Sequence, residues 1–167
     1  ECNRGKVDQP VAICALKRFV ADRMYAEADK AKETPPKPAP LKGKKVAIVG
    51  SGPAGLTAAH FLARMGYQVT IFEALPVAGG MMRVGIPAYR LPRQVLQREI
   101  DNILALGVDL QLYSPISDIN RLFRRGYEAV FLAIGAHEPQ HLGIPGEDAT
   151  GVYHGVPFLR MVNLGGD

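Results

Sequence analysis

Val46-Ala47-Ile48-Val49-Gly50-Ser51-Gly52-Pro53-Ala54-Gly55-Leu56-Thr57-Ala58-Ala59 (46–59) decides how the rest of this chain is read. Lys45–Val49 is a short apolar run of the kind that forms buried parallel strands, and Gly50 ends it. Pro53–Met65 comes next with helical spacing, Leu56, Ala59 and Leu62 or Ala63 on its buried side, and Gly66 stops it. Gln68–Phe72 is a second strand. Strand, crossover helix and strand in so short a span make a right-handed βαβ unit with parallel strands. Each glycine of Gly50-Ser51-Gly52-Pro53-Ala54-Gly55 has a mechanical task. Gly50 permits the tight turn, Gly52 lets backbone approach a pyrophosphate, and Gly55 lets helix and strand pack closely. The helix N-terminus offers unpaired N–H groups and partial positive charge to phosphates. Glu73, 21 residues after Gly52 and at the end of the second strand, is placed to accept hydrogen bonds from the adenosine ribose hydroxyls. Its charge would repel a 2′-phosphate. The fold class expected is α/β, a Rossmann-like domain with a parallel sheet.

Working outward, Arg93–Leu106 carries apolar residues at helical spacing (Val95, Leu96, Ile100, Ile103, Leu104), and Gly107 caps it. Val108–Tyr113 looks like a strand, Asp118 could cap a short helix through Arg124, and Ala129–Ile134 is a strong strand. A last short helix is expected near Val156–Val162. Toward the N-terminus, Pro10–Asp29 reads as a helix, with Ile13, Leu16, Val20 and Met24 recurring at helical spacing. Lys30–Lys45 contains Pro35, Pro36, Pro38 and Pro40, which favour an extended, semi-rigid linker. The organisation expected is a helical arm (1–29), a linker (30–45) and a nucleotide-binding domain (46–167).

The 167 residues carry a net charge of +4. Residues 1–45 hold 11 Lys/Arg against 6 Asp/Glu, or +5, and the remainder 9 against 10, or −1. The basic excess sits in the arm and lacks the dense, aromatic-interleaved clustering of a nucleic-acid surface, so no nucleic-acid partner is expected. No apolar run approaches bilayer-spanning length, and no signal-peptide pattern opens the chain. Two cysteines, Cys2 and Cys14, are too few for a disulfide framework and suit a reducing compartment. The expectation is cytoplasmic, with no membrane partner.

The loop does not by itself separate FAD from NAD. The segment beyond the acid does: Glu73-Ala74-Leu75-Pro76-Val77-Ala78-Gly79-Gly80. A second Gly-Gly just past the ribose acid lets the chain run close along a cofactor's diphosphate and onward to a flavin. Arg83 and Arg90 lie in the next segment and could neutralise phosphate charge or hydrogen-bond the ring system. The stretches 46–59, Phe72-Glu73-Ala74, Gly79-Gly80 and Gly85-Ile86-Pro87-Ala88-Tyr89-Arg90-Leu91-Pro92 together resemble the small (beta) subunit of NADPH-dependent glutamate synthase. They are similar also to the flavin region of dihydropyrimidine dehydrogenase and the large subunit of NADH-dependent ferredoxin–NADP oxidoreductase. Ala133-Ile134-Gly135-Ala136 resembles the strand-end motif that runs against FAD in such proteins. Gly143-Ile144-Pro145-Gly146-Glu147-Asp148 with Gly151-Val152 is similar to the family's usual continuation from that motif.

The resemblance implies an electron-transfer flavoprotein. A nicotinamide cofactor (NAD(P)H) held in a second dinucleotide domain exchanges hydride with the flavin. Electrons then pass through [4Fe-4S] clusters to or from an electron-acceptor subunit or a ferredoxin-like partner. No side chain need act as acid or base, because the redox chemistry belongs to the cofactor. The FAD contacts expected are Gly50, Gly52, Pro53, Ala54, Gly55, Glu73, Ala74, Gly79, Gly80, Met81, Arg90, Ala133 and Gly135. Glu1-Cys2-Asn3-Arg4-Gly5 resembles the end of the family's iron–sulfur domain, where Cys2 would be the last ligand of a cluster. A cluster needs four thiolates, so in this chain alone Cys2 reads as a free thiol. The family continues with a second glycine-rich loop and a Gly-Asp segment on the flavin. The expectation is therefore an incomplete fragment of a two-dinucleotide-domain flavoprotein, inactive alone and weak in holding FAD. Two other readings stay open: an NAD-binding dehydrogenase module, and a non-catalytic assembly piece that docks a partner through its basic arm.

Overall fold

The computed structural model describes residues 2–31 and 38–165. The chain divides into two compact units, Glu1–Pro35 and Pro36–Asp167. In the first, a 3-10 turn spans Asn3–Lys6, closed by the Arg4–Asp8 ion pair at 2.5 Å. Helix α1 runs Ile13–Ala31. It starts three residues later than its periodicity suggests, because Gln9–Ala12 form no regular element, Ile13 N–H turning back to Val11 C=O at 2.8 Å, and the first helical bond is Leu16 N–H to Ala12 C=O at 3.0 Å. It also continues two residues past Asp29. None of its described residues is buried; Ile13, Leu16, Phe19, Val20 and Met24 are all exposed.

The second unit begins before the expected domain boundary at residue 46. Pro35 and Pro36 lie outside the described residues. From Pro38 onward the segment expected to be linker packs on the domain: Lys42 N–H donates to Gly66 C=O at 2.8 Å, and its ammonium sits 5.4 Å from the Tyr67 ring centroid.

Four strands, β1 (Lys45–Val49), β2 (Gln68–Phe72), β3 (Asp109–Gln111) and β4 (Ala129–Leu132), form one sheet in the order β3-β2-β1-β4, with every pairing parallel. Strand side chains alternate between faces. Ile48, Val69 and Ile71 therefore pack against α2 (Pro53–Arg64), through Leu56, Ala59 and Ala63. They pack also against Leu96 and Ile100 of a longer helix over Arg93–Leu104. The opposite face puts Ala47, Val49 and Phe72 on Leu122, from a short helix over Ile119–Arg124. Asp118 caps that helix as its position suggests, accepting from Asn120 N–H at 2.9 Å. Numbered along the chain, a one-turn helix at Met81–Val84 is α3, Arg93–Leu104 is α4, Ile119–Arg124 is α5 and Gly155–Asn163 is α6.

Three element ends differ from the sequence reading, each for a tertiary reason. Tyr113 adopts φ +52°, and its N–H turns to Leu75 C=O, so β3 ends at Gln111 rather than Tyr113. β4 stops at Leu132 because β1, its partner in the sheet, turns away at Gly50 after accepting one further bond from Ala133 N–H. The α4 helix ends at Leu104, where Gly107 and Val108 N–H both bond back to its carbonyl. Among the described residues no helix is long and apolar enough to cross a membrane.

Candidate functional site

The strand order reverses at β1, whose neighbours β2 and β4 lie on opposite sides. In open parallel sheets the crevice beyond the carboxyl ends at such a point is where ligands bind. A cleft of about 300 Å³ opens there. Gly50, Gly52, Pro53 and Ala54 form one wall, Glu73 and Ala74 another, and Gly80 with Met81 a third. Ala133 and Gly135, beyond β4, complete the set. Ten of the thirteen cofactor contacts expected from sequence thus line one cleft.

The three glycines of the loop differ in what enforces them. Gly50 has φ +102°, and a Cβ there would lie 2.3 Å from Ala133 carbonyl oxygen. At Gly55 a Cβ would lie 2.0 Å from Gly50 carbonyl oxygen, so this residue seats helix on loop from behind the cleft. Gly52 is the opposite case. Its backbone is ordinary (φ −71°), and a Cβ would meet nothing within 4 Å. The fold itself does not demand glycine at 52, whose Cβ position opens onto free space beside the cleft. The first N–H groups of α2 have no intrahelical acceptor, and they carry the positive end of the helix dipole.

Glu73 is 6 % exposed and forms the hub of the site. Its Oε2 accepts from Ser51 N–H at 2.9 Å and from Ser51 Oγ–H at 2.5 Å, while Oε1 accepts from Leu75 N–H at 2.9 Å. A carboxylate offers about four acceptor positions. With three occupied, one remains for a ligand hydroxyl. The fully buried Ser51 in turn binds the second glycine pair: Gly79 N–H donates to Ser51 Oγ at 3.2 Å and to its carbonyl at 3.1 Å. Gly79 therefore backs the cleft rather than lining it. Gly80, at φ +52°, abuts the phosphate loop so closely that a Cβ would stand 2.7 Å from Gly52 Cα.

Arg90 is exposed and lies outside the cleft lining, and Arg83 donates to Ala78 carbonyl at 3.3 Å and to Gln97. The cation that reaches the cleft is Arg160 of α6, joined there by His137 and Ser114. Asn163 anchors α6: its Nδ2 donates to Val84 carbonyl at 2.9 Å, and Arg93 donates to its Oδ1 at 2.5 Å. Among the described residues, His137 Nδ1 is the buried side-chain nitrogen without a hydrogen-bond partner. Sequence pattern pointed to none of Ser51, His137 or Arg160. Ser51 occupies a position between two glycines, and Arg160 arrives through α6 contacts some 70 to 79 residues apart in the chain.

An open space before Gly52, a buried carboxylate with one acceptor position spare, an arginine in the lining and an orphaned imidazole nitrogen fit the adenosine diphosphate half of a dinucleotide. In the first unit, the Cys2 thiol is held below the usual cysteine range by the backbone N–H groups of Val11, Arg4 and Gly5. Backbone donors of this kind suit a thiolate ligand.

Residues 48–95 match the family model of the NAD(P)-binding Rossmann-like domain. The chain is 49% identical to the NADP(+)-dependent formate dehydrogenase subunit beta of Moorella thermoacetica, over 98% of this chain and 26% of that one. To the glutamate synthase [NADPH] small chain of Escherichia coli it is 39% identical, over 70% of this chain and 25% of the relative. Among solved structures, Mycobacterium tuberculosis FprA in complex with NADPH matches 75% of this chain and 29% of its own, at 26% identity and a TM-score of 0.65. The chain spans about a quarter of the length of these curated relatives. The resemblance read from the sequence therefore holds: oxidoreductase subunits, the glutamate synthase small chain among them, are homologues of this chain, whose residues 48–95 match the NAD(P)-binding Rossmann-like domain.

Proposed function

We propose that this chain supplies the adenosine diphosphate side of an FAD site in an NAD(P)H-dependent iron–sulfur flavoprotein oxidoreductase of the glutamate synthase small-subunit type. The observation that carries the reading is the buried Ser51–Glu73–Gly79 junction, which fixes phosphate loop, ribose acid and second glycine turn as one unit. Gly52, Pro53 and Ala54 would hold the pyrophosphate at the start of α2, with Arg160 opposite. Glu73 would take one ribose hydroxyl, and Leu75, Pro115 and Ile116 offer the adenine an apolar wall. Gly80, Met81, Ala133 and Gly135 border the path toward the flavin. When bound, FAD would supply hydride exchange with a nicotinamide and single-electron transfer to clusters. Cys2 is assigned as a ligand of one such [4Fe-4S] cluster in the assembled enzyme. The partner is an electron-acceptor subunit or a ferredoxin-like protein. Subunit names among the relatives support a partner of this kind.

The test is competitive binding. FAD, followed by its visible absorption and fluorescence, is expected to bind and to be displaced by ADP. Preference for NAD with no flavin binding would overturn the reading in favour of a dehydrogenase module. The acid adds a selectivity prediction. ADP is expected to bind at least about tenfold tighter than its 2′-phosphorylated form, since two like charges would share a desolvated site. In Glu73→Gln that ratio is expected to fall toward unity in calorimetric titrations.

A further inference from the structure

Outside the cleft, the stretch from His141 to His154 gathers three metal-ligating side chains. His141 Nδ1 lies 3.6 Å from Glu147 Oε1, and His154 Nδ1 lies 3.9 Å from the same oxygen. The three donor atoms all fall within 4.8 Å of one another, and the two rings meet edge to face with centroids 4.6 Å apart. The carboxylate is set in place by backbone. Leu142 N–H donates to Oε1 and Gly143 N–H to Oε2, each at 2.8 Å. The Glu147 side chain is 9% exposed, whereas His141 stands 65% exposed at the surface.

From this geometry we propose a binding site for one Zn2+ ion per chain, with His141, Glu147 and His154 as ligands and the fourth position open to water. Tetrahedral zinc with bonds of about 2.0–2.2 Å spaces its donor atoms about 3.4 Å apart. The two His–Glu separations reach that spacing by a closure of a few tenths of an ångström, and the imidazole nitrogens, within 4.8 Å of each other, by swinging inward about the side-chain torsions of His141 and His154. Two imidazoles and one carboxylate form a donor set suited to zinc, and too rich in nitrogen for magnesium or calcium. The Leu142 and Gly143 N–H groups act as the outer shell that orients the carboxylate. An alternative, a solvent-exposed His–Glu–His contact that holds no ion, predicts no such affinity.

The ion would join two parts of one cleft wall. The ligands span the loop after β4, which carries His137, and the residue preceding α6, which carries Arg160. Zinc would therefore staple the loop to the helix without entering the nucleotide cleft.

Calorimetric titration with zinc chloride tests the site, using the full chain with Cys2→Ser and Cys14→Ser so that thiolates do not compete. One equivalent is expected to bind in the micromolar range or tighter. His141→Ala and His154→Ala are each expected to weaken it about 100-fold or more. His141 is exposed, so its variant reports on binding and not on folding, which circular dichroism checks in both. Co2+ is expected to give the intense visible bands of four-coordinate geometry in the parent chain and to lose them in both variants. Absence of stoichiometric zinc binding, or affinity unchanged by the histidine substitutions, would overturn the proposal.

Discussion

Gly55→Ala is expected to destabilise the Rossmann unit by about 3 kcal/mol or more, the upper end of what overpacking costs. The added methyl would stand 2.0 Å from Gly50 carbonyl oxygen and 3.2 Å from Ile48 Cγ2. Neither can rotate away, since one is backbone in the turn and the other belongs to a fully buried strand residue. Relief requires α2 to lift off β1, and the apolar contacts of Leu56, Ala59 and Ala63 would go with it. A domain of this size has on the order of 5–15 kcal/mol of stability in total, so the loss should be plain in a urea midpoint. A midpoint within experimental error of the parent chain would show that helix and loop are not seated this closely.

Gly52→Ala, three residues away, is expected to do the reverse. Ordinary dihedrals and an empty surrounding mean that the methyl costs the fold less than about 1 kcal/mol, the scale of changing an uncapped helix start. It projects instead into the space a pyrophosphate would need. ADP affinity is expected to fall about 100-fold, or about 2.7 kcal/mol, with the urea midpoint hardly moved. The two variants together separate a glycine required by the chain from one required by its ligand. Equal ADP affinity in Gly52→Ala and the parent would place the phosphates elsewhere.

That contrast also marks how far sequence could be read. The loop, Glu73 and the first two strands were legible because their signals are local: apolar runs, glycine spacing, and an acid at a fixed distance. Of the ten expected contacts that line the cleft, the loop residues, Glu73 and Gly80 come from short stretches of this kind, whereas Ala133 and Gly135 rested on the family resemblance. The role of Ser51 was not legible, because nothing distinguishes a hydroxyl that spans to residue 73 from one that faces water. Arg90 looked suitable by charge and lies outside the cleft, whereas Arg160 enters it because Asn163 ties α6 to Val84 and Arg93. Such contacts depend on tertiary packing, which periodicity does not encode. Strand ends failed for the same reason: β4 is as long as its partner permits, not as long as its apolar run.

The Ser51 hydroxyl, bonded at once to Glu73 and to Gly79 N–H, bears on how quickly a nucleotide can be taken up. Two walls of the cleft and its ribose acceptor are already joined before any ligand arrives, so little ordering entropy is left to spend on association. Capture at this half of the cofactor site should then proceed in one kinetic phase, its observed rate rising in proportion to nucleotide concentration with no plateau from a slower rearrangement. On the proposed reading, serine at this position would set the tempo of cofactor loading while touching neither the chemistry nor the electrons.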